Sequence, residues 1–222
     1  MSRLNDFFKK ISNNKFSLLL VLVYAAIYLP SFFVLEIQKN VDRHVIHMTL
    51  DDYIPFCEYF IIPYLIWFVY MIASVIYSYF TDKINYVRSF FYMATGMTIF
   101  IIVSFIFPNC HELRPEVMPR NNIFSIAVSM LHETDTPSNL FPSIHVYNSI
   151  AAHISMINNK KVKKNRRICN LSLIICISII LSTIFLKQHS LFDVITALIL
   201  AAIIYPFCFF EQPEETSETV TV

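Results

Sequence analysis

The sequence predicts an all-α polytopic membrane protein, with six transmembrane helices in one bundle and both termini cytoplasmic. Three observations predict it. Hydrophobic residues fill 56% of the 222 positions while the formal net charge is only +1, a composition too apolar for an ordinary soluble domain of this size. The apolar residues gather in long continuous runs rather than alternating ten-residue segments, which selects helices over a β-barrel. The Lys and Arg residues concentrate on alternate loops, as the cytoplasmic side of a membrane protein requires.

The first element, residues 1–15, is a basic tail carrying Arg3, Lys9, Lys10 and Lys15. It shows no cleavable leader pattern, because Ser2 to Lys15 is polar and the apolar run that follows is long enough to stay as a span. Spans are expected at Phe16–Leu35, Pro55–Phe80, Ser89–Phe107, Phe141–Ile157, Ile168–Leu186 and Leu191–Phe210, each near the roughly 20 residues that cross a bilayer. The fourth is the shortest. Together residues 16–210 form the membrane domain, with an outer loop over 108–140, and residues 211–222, "EQPEETSETVTV", have the composition of a disordered acidic tail.

Loop charges set the orientation. Twelve Lys and Arg lie in the first tail, in the second loop (Lys83, Arg88) and in the fourth loop, where "NNKKVKKNRR" holds six; five (Lys39, Arg43, Arg114, Arg120, Lys187) lie opposite. Topology alone accounts for the basic run, so no nucleic-acid partner is expected. Five cysteines, three of them (Cys169, Cys176, Cys208) inside spans, do not suit a disulfide framework, and Cys57 and Cys110 read as small apolar fillers rather than a pair. A single glycine, Gly96, excludes motifs built on several glycines. His44 and His47 with Asp42, Asp51 and Asp52 lack the spacing of a recognised metal site and read as a polar loop; no metal and no cofactor is expected. Oligomeric state is not legible in the sequence.

With the N-terminus inside, spans two, four and six begin at the outer face, where their free N–H groups attract anions. The unusual polar residues converge there. In "KQHSLFDV", Asp193 follows His189 by four residues, which places both on one helical face. A carboxylate in a span needs a partner, and an imidazole held through one nitrogen leaves the other free to attack or take a proton. A self-satisfied buried pair has the same spacing. His145 opens span four in "NLFPSIHV", and one histidine can attack while the other protonates a leaving group. Ser143 fits a helix cap, a role for which Asn139 competes. Arg114 and Arg120, in "CHELRPEVMPR", supply guanidinium forks that match phosphate oxygens. Residues 121–134 place Ile123, Ile126, Ala127, Met130 and Leu131 at helical spacing, suited to a surface helix over the site. Trp67, with Tyr59, Tyr64 and Tyr70, reads as packing.

"RP" (Arg114, Pro115), "PSIH" (Pro142 to His145) and "STIFLKQHSLFD" (Ser182 to Asp193) resemble the three signature motifs of the type-2 phosphatidic acid phosphatase superfamily, in order and over roughly residues 55–205. The resemblance implies metal-independent phosphoryl transfer on a lipid phosphate. His189 would be the nucleophile, oriented by Asp193; His145 would be the general acid; Arg114 and Ser143 would hold phosphate oxygens. It also implies an integral membrane protein, expected in the cell membrane with its site on the extracytoplasmic side.

Two departures bear on the chemistry. The family's first motif begins with a lysine where this chain has Phe107, and its third has an arginine where this chain has Thr183. Charge stabilisation dominates phosphoryl transfer, so Lys187 and Arg120 are the expected substitutes. Fewer cations also suit a phosphodiester, which carries less charge, and hence a head-group transferase resembling the inositol phosphorylceramide and sphingomyelin synthases. A non-catalytic lipid transporter or binding protein is the reading from another class.

Overall fold

The computed structural model describes residues 2–13, 17–38 and 41–209. These form eight α-helices: α1 (Ser2–Ser12), α2 (Leu19–Ile37), α3 (Ile61–Thr81), α4 (Lys83–Ile106), α5 (Ile123–Thr134), α6 (Ile144–Asn158), α7 (Arg166–Phe185) and α8 (Leu191–Phe209). Two short strands, β1 (His44–Val45) and β2 (Asn109–Cys110), pair in parallel with His44 opposite Asn109. The basic segment at the start is thus helical as α1, with Phe8 buried beside Tyr86 and Val87 of α4. The acidic tail over 211–222 lies outside the described residues, as does Phe16, where the first span was expected to begin.

Five helices are long and apolar enough to cross a membrane: α2, α3 with the turn before it, α4, α7 and α8. The remaining expected span is α6, whose 15 residues rise only about 22 Å, short of a hydrocarbon core of about 30 Å. It sits at the centre of the bundle, packed against α3, α4, α7 and α8. Its buried residues include the small Ser149, Ala151, Ala152 and Ser155, and small residues let helix backbones approach closely where lipid supplies no hydrophobic drive. Gly96 on α4 serves the same crossing: a Cβ there would lie 2.1 Å from the Tyr147 ring.

Polar groups inside the bundle pair with one another, as a water-free environment demands. Ser78 meets Ser155 at 2.9 Å, Asn85 donates to the Ser155 carbonyl at 2.8 Å, Tyr92 to the Ala201 carbonyl at 2.7 Å and Tyr147 to the Tyr92 carbonyl at 2.8 Å. Large apolar side chains such as Leu22, Phe33, Val69, Ile174 and Ile203 face outward, the arrangement expected when the solvent is lipid. All five cysteines are free.

Candidate active site

The turn that carries His189 is built by the end of α7. The Gln188 N–H reaches back to the Thr183 carbonyl (2.9 Å) and the Lys187 N–H to that of Ile184 (3.1 Å), the paired bonds of a helix end that needs a left-handed residue between them. Lys187 supplies it, at φ 55°. Its ammonium donates to the Asp51 carbonyl (2.7 Å), so Lys187 ties the turn to the Asp51 loop. Two histidines brace the same turn, His111 donating Nε2–H to the Gln188 carbonyl (2.9 Å) and His132 to that of Leu186 (3.2 Å).

The start of α8 is capped twice. Asp51, buried in the loop before α3, accepts from the Ser190 hydroxyl (2.5 Å) and the Leu191 N–H (2.8 Å). Asp193 reaches back to the Ser190 N–H (3.0 Å). Carboxylates at this end of a helix meet its orphan donors and its positive dipole. Asp51, read in the sequence as part of an ordinary polar loop, is therefore a cap supplied from far along the chain.

Ser143 is the cap of α6, accepting the Val146 N–H (3.3 Å), while its own N–H donates to the Asp193 carbonyl (3.3 Å). Asn139 does not compete; it adopts φ 55° and donates to the Leu35 carbonyl. Capping by Ser143 puts His145 in the first turn of α6 and ties that turn to α8. His145 Nδ1 then lies 3.3 Å from His189 Nε2, the rings meeting edge to face. On its other side His189 Nδ1 is 3.4 Å from Asp193 Oδ2, a long contact because that oxygen also caps α8. Burial favours the neutral imidazole of His189 and holds its pKa down at about 4, with the Arg114 charge adding to this and Asp135 opposing it.

The far nitrogen of His145 has partners that sequence reasoning missed. Its Nε2 is 3.0 Å from the Tyr64 hydroxyl, which donates to Asp135 Oδ2 at 3.1 Å. The Tyr64 and Trp67 rings pack against the imidazole at centroid distances of 4.9 and 4.5 Å. The one available signal was the three-residue spacing of Tyr64 and Trp67 near the start of α3; nothing local marked Asp135.

Of the two loop arginines, Arg114 is the one held against Gln188, the residue before His189. Its Nη2 donates to Gln188 Oε1 (2.6 Å) and its Nη1 to the His132 carbonyl (3.0 Å). Arg114 Nε and Gln188 Nε2 are buried without a partner among the described residues, leaving two unsatisfied N–H donors on this hydrogen-bonded pair. Arg120 is held by the buried carboxylate of Glu58 at 2.7 Å, which Asn122 also contacts at 2.9 Å. Phe107 stacks on His44 (4.5 Å), and the Thr183 carbonyl anchors the Gln188–His189 turn. Neither position offers a charge. Gln188 was also missed; its place directly before His189 was the only clue.

Below His145 a cavity of about 950 Å³ runs between α2, α3, α4 and α6. Along α3 it is lined by Tyr64 and then by the pairs Trp67–Phe68, Met71–Ile72, Val75–Ile76 and Tyr79–Phe80, two residues per turn of one face. Its polar end is formed by Glu36, Asp135 and His145. The volume lies near the top of the ~300–1,000 Å³ range of ligand pockets, and the walls are overwhelmingly apolar.

No curated protein and no solved structure matches the chain. The PAP2 superfamily model, however, matches residues 85–215, a stretch that takes in Arg114, Ser143, both histidines and Asp193. Matched over more than half its length, the chain belongs to the PAP2 superfamily, a membership that supports a phosphatase- or phosphotransferase-type lipid enzyme.

Proposed function

We propose that the protein is an outward-facing, metal-independent lipid phosphate phosphatase that works through a phosphohistidine on His189, acting on phosphatidic acid, a polyprenyl (pyro)phosphate or a similar lipid. The observation that carries this reading is the continuous chain Asp135–Tyr64–His145–His189–Asp193, each link between 3.0 and 3.4 Å. Proton counting along it gives the two imidazoles different roles. Tyr64 donates to Asp135, so its oxygen receives the His145 Nε2–H, and the contact between the rings holds one further proton. In this reading that proton lies on His145 Nδ1, which leaves the lone pair of His189 Nε2 free to attack and gives His145 a proton to deliver as general acid.

In this reading His189 Nε2 bonds to phosphorus, the ester P–O bond breaks, and its electron pair leaves on the lipid oxygen, which His145 protonates. Water then attacks the phosphohistidine, the P–N bond breaks, and His145 takes the water proton. The phosphoryl group displaces the contact between the rings and keeps both as neighbours. Arg114 Nε, Gln188 Nε2 and the Ser143 hydroxyl are the donors for its oxygens. The loop-charge count supports an extracytoplasmic site in the cell membrane, and the apolar cavity below His145 supports a lipid tail.

The test uses detergent-purified protein, phosphatidic acid and a chelator, with released phosphate as the readout. Wild type is expected to turn over, and His189→Ala to lose it; wild-type turnover by His189→Ala refutes the nucleophile. A second reading, transfer of a phosphodiester head group to an alcohol, is favoured by the scarcity of cations: with Lys187 and Arg120 held elsewhere, Arg114 alone of the proposed cations stands at His189. It predicts a new lipid only when an acceptor alcohol is supplied, and phosphate release with every acceptor rejects it.

A further inference from the structure

The apolar cavity below His145 contains polar groups that the chemistry above does not use. Asn148 is fully buried and lines it, yet neither its amide oxygen nor its amide nitrogen has a partner among the described residues. The indole N–H of Trp67 and the hydroxyl of Tyr28, both more than nine-tenths buried in the same walls, are unpartnered in the same way. Buried polar groups are nearly always paired, since leaving one unpaired costs its full desolvation. Helix α6 places Asn148 three residues after His145, about 4.5 Å deeper along its axis. Trp67, packed against the His145 ring, stands at the same entrance. The groups therefore face the first atoms of a lipid below its phosphate.

We propose that Asn148, with Trp67, forms a specificity subsite that reads a hydrogen-bond donor carried next to the phosphate by the lipid backbone, an amide N–H or a free hydroxyl, together with a neighbouring acceptor oxygen. This rests on the reading of His145 and His189 as the phosphate end of the site. Asn148 Nδ2 and the Trp67 indole need acceptors; Asn148 Oδ1 needs a donor. A polyprenyl chain offers neither. The ester groups of a diacylglycerol phosphate offer acceptors only and leave Oδ1 unpaired. An N-acylated sphingoid phosphate, or a lysolipid with its free hydroxyl, satisfies both sides. Sites that hydrogen-bond a substrate N–H or O–H discriminate strongly against analogues lacking it, because the protein's own group is then left unpaired.

The experiment takes full-length protein in detergent with C16 ceramide 1-phosphate, 1-palmitoyl lysophosphatidic acid, dipalmitoyl phosphatidic acid and farnesyl phosphate, and reads both phosphate release and thermal stabilisation by each lipid. Ceramide 1-phosphate and the lysolipid separate the amide from the hydroxyl as the donor. Wild type should favour one or both by at least about tenfold in kcat/KM over the diester and the isoprenoid. In Asn148→Leu, which has similar volume and removes an unpaired polar group, the ratio should fall to about one. Trp67→Phe, which removes only the indole donor, should lower the ratio by severalfold. Equal turnover of all four lipids by wild type, or an unchanged ratio in Asn148→Leu, overturns the subsite and leaves the phosphatase reading standing. Stabilisation that follows the same order and collapses in Asn148→Leu, with no phosphate released from any lipid, supports the subsite while the phosphatase reading falls.

Discussion

Replacing Tyr64 by Phe removes one oxygen and leaves the ring that packs on His145. That oxygen makes two hydrogen bonds, 3.1 Å to Asp135 Oδ2 and 3.0 Å to His145 Nε2, in a side chain that is 1% exposed. Hydrogen bonds to a charged group contribute about 1.5–3 kcal/mol, and about 1.4 kcal/mol is a factor of ten. If the relay holds His145 in its acid form and orientation, kcat should fall by about 10–150-fold. KM should change little, because Tyr64 Oη is already held by His145 and Asp135. Asp135→Asn should give a comparable loss. The two losses should not add in Tyr64→Phe/Asp135→Asn, since residues in one hydrogen-bonded unit couple. The assay is steady-state phosphate release, with thermal unfolding confirming that each variant is folded. A Tyr64→Phe enzyme with wild-type kcat, or a double variant whose losses multiply, refutes the relay.

Three further outcomes are expected. Gly96→Ala drives a methyl into the Tyr147 ring, which is buried and held through its hydroxyl, and should cost about 1–3 kcal/mol as overpacking does, seen as a lower Tm; an unchanged Tm would mean that the crossing of α4 and α6 is looser than described. His111 uses both nitrogens, donating to Gln188 and accepting from the Leu113 N–H, and burial lowers its pKa from the ordinary 6.5 to about 3. The unfolded chain therefore binds more protons between those values, so stability is full above about pH 6.5 and falls toward acid, by about 3 kcal/mol at pH 4 from this group; His111→Gln should narrow the Tm gap between pH 7 and pH 4, and an unaltered gap would exclude this assignment. Arg114→Ala should lower kcat by about 10²–10³, the scale of losing an oxyanion donor, whereas Arg120→Ala should mainly cost stability, about 1–2 kcal/mol because its partner Glu58 is buried while Arg120 itself is half exposed; comparable kcat losses in the two would reverse their assignment.

The sequence by itself determined what depends on short range. Long apolar runs set the membrane helices, because about 20 residues must satisfy their own backbone in lipid. The spacing of four set the His189–Asp193 contact, and "PSIH" opened α6 with its cap. Helix periodicity also announced α5, of which Ala127 and Leu131 pack inward while Ile123, Ile126 and Met130 face outward. Tertiary structure alone decided the rest, because those contacts join residues far apart in the chain. Tyr64 and Asp135 lie 71 positions apart and Asp51 and Ser190 139, and no periodicity encodes such pairings. It also decided how the other cations are held: Arg120 pairs with the buried Glu58 and Lys187 closes the end of α7 in a left-handed conformation, since a buried carboxylate must be paired and a helix end must be closed.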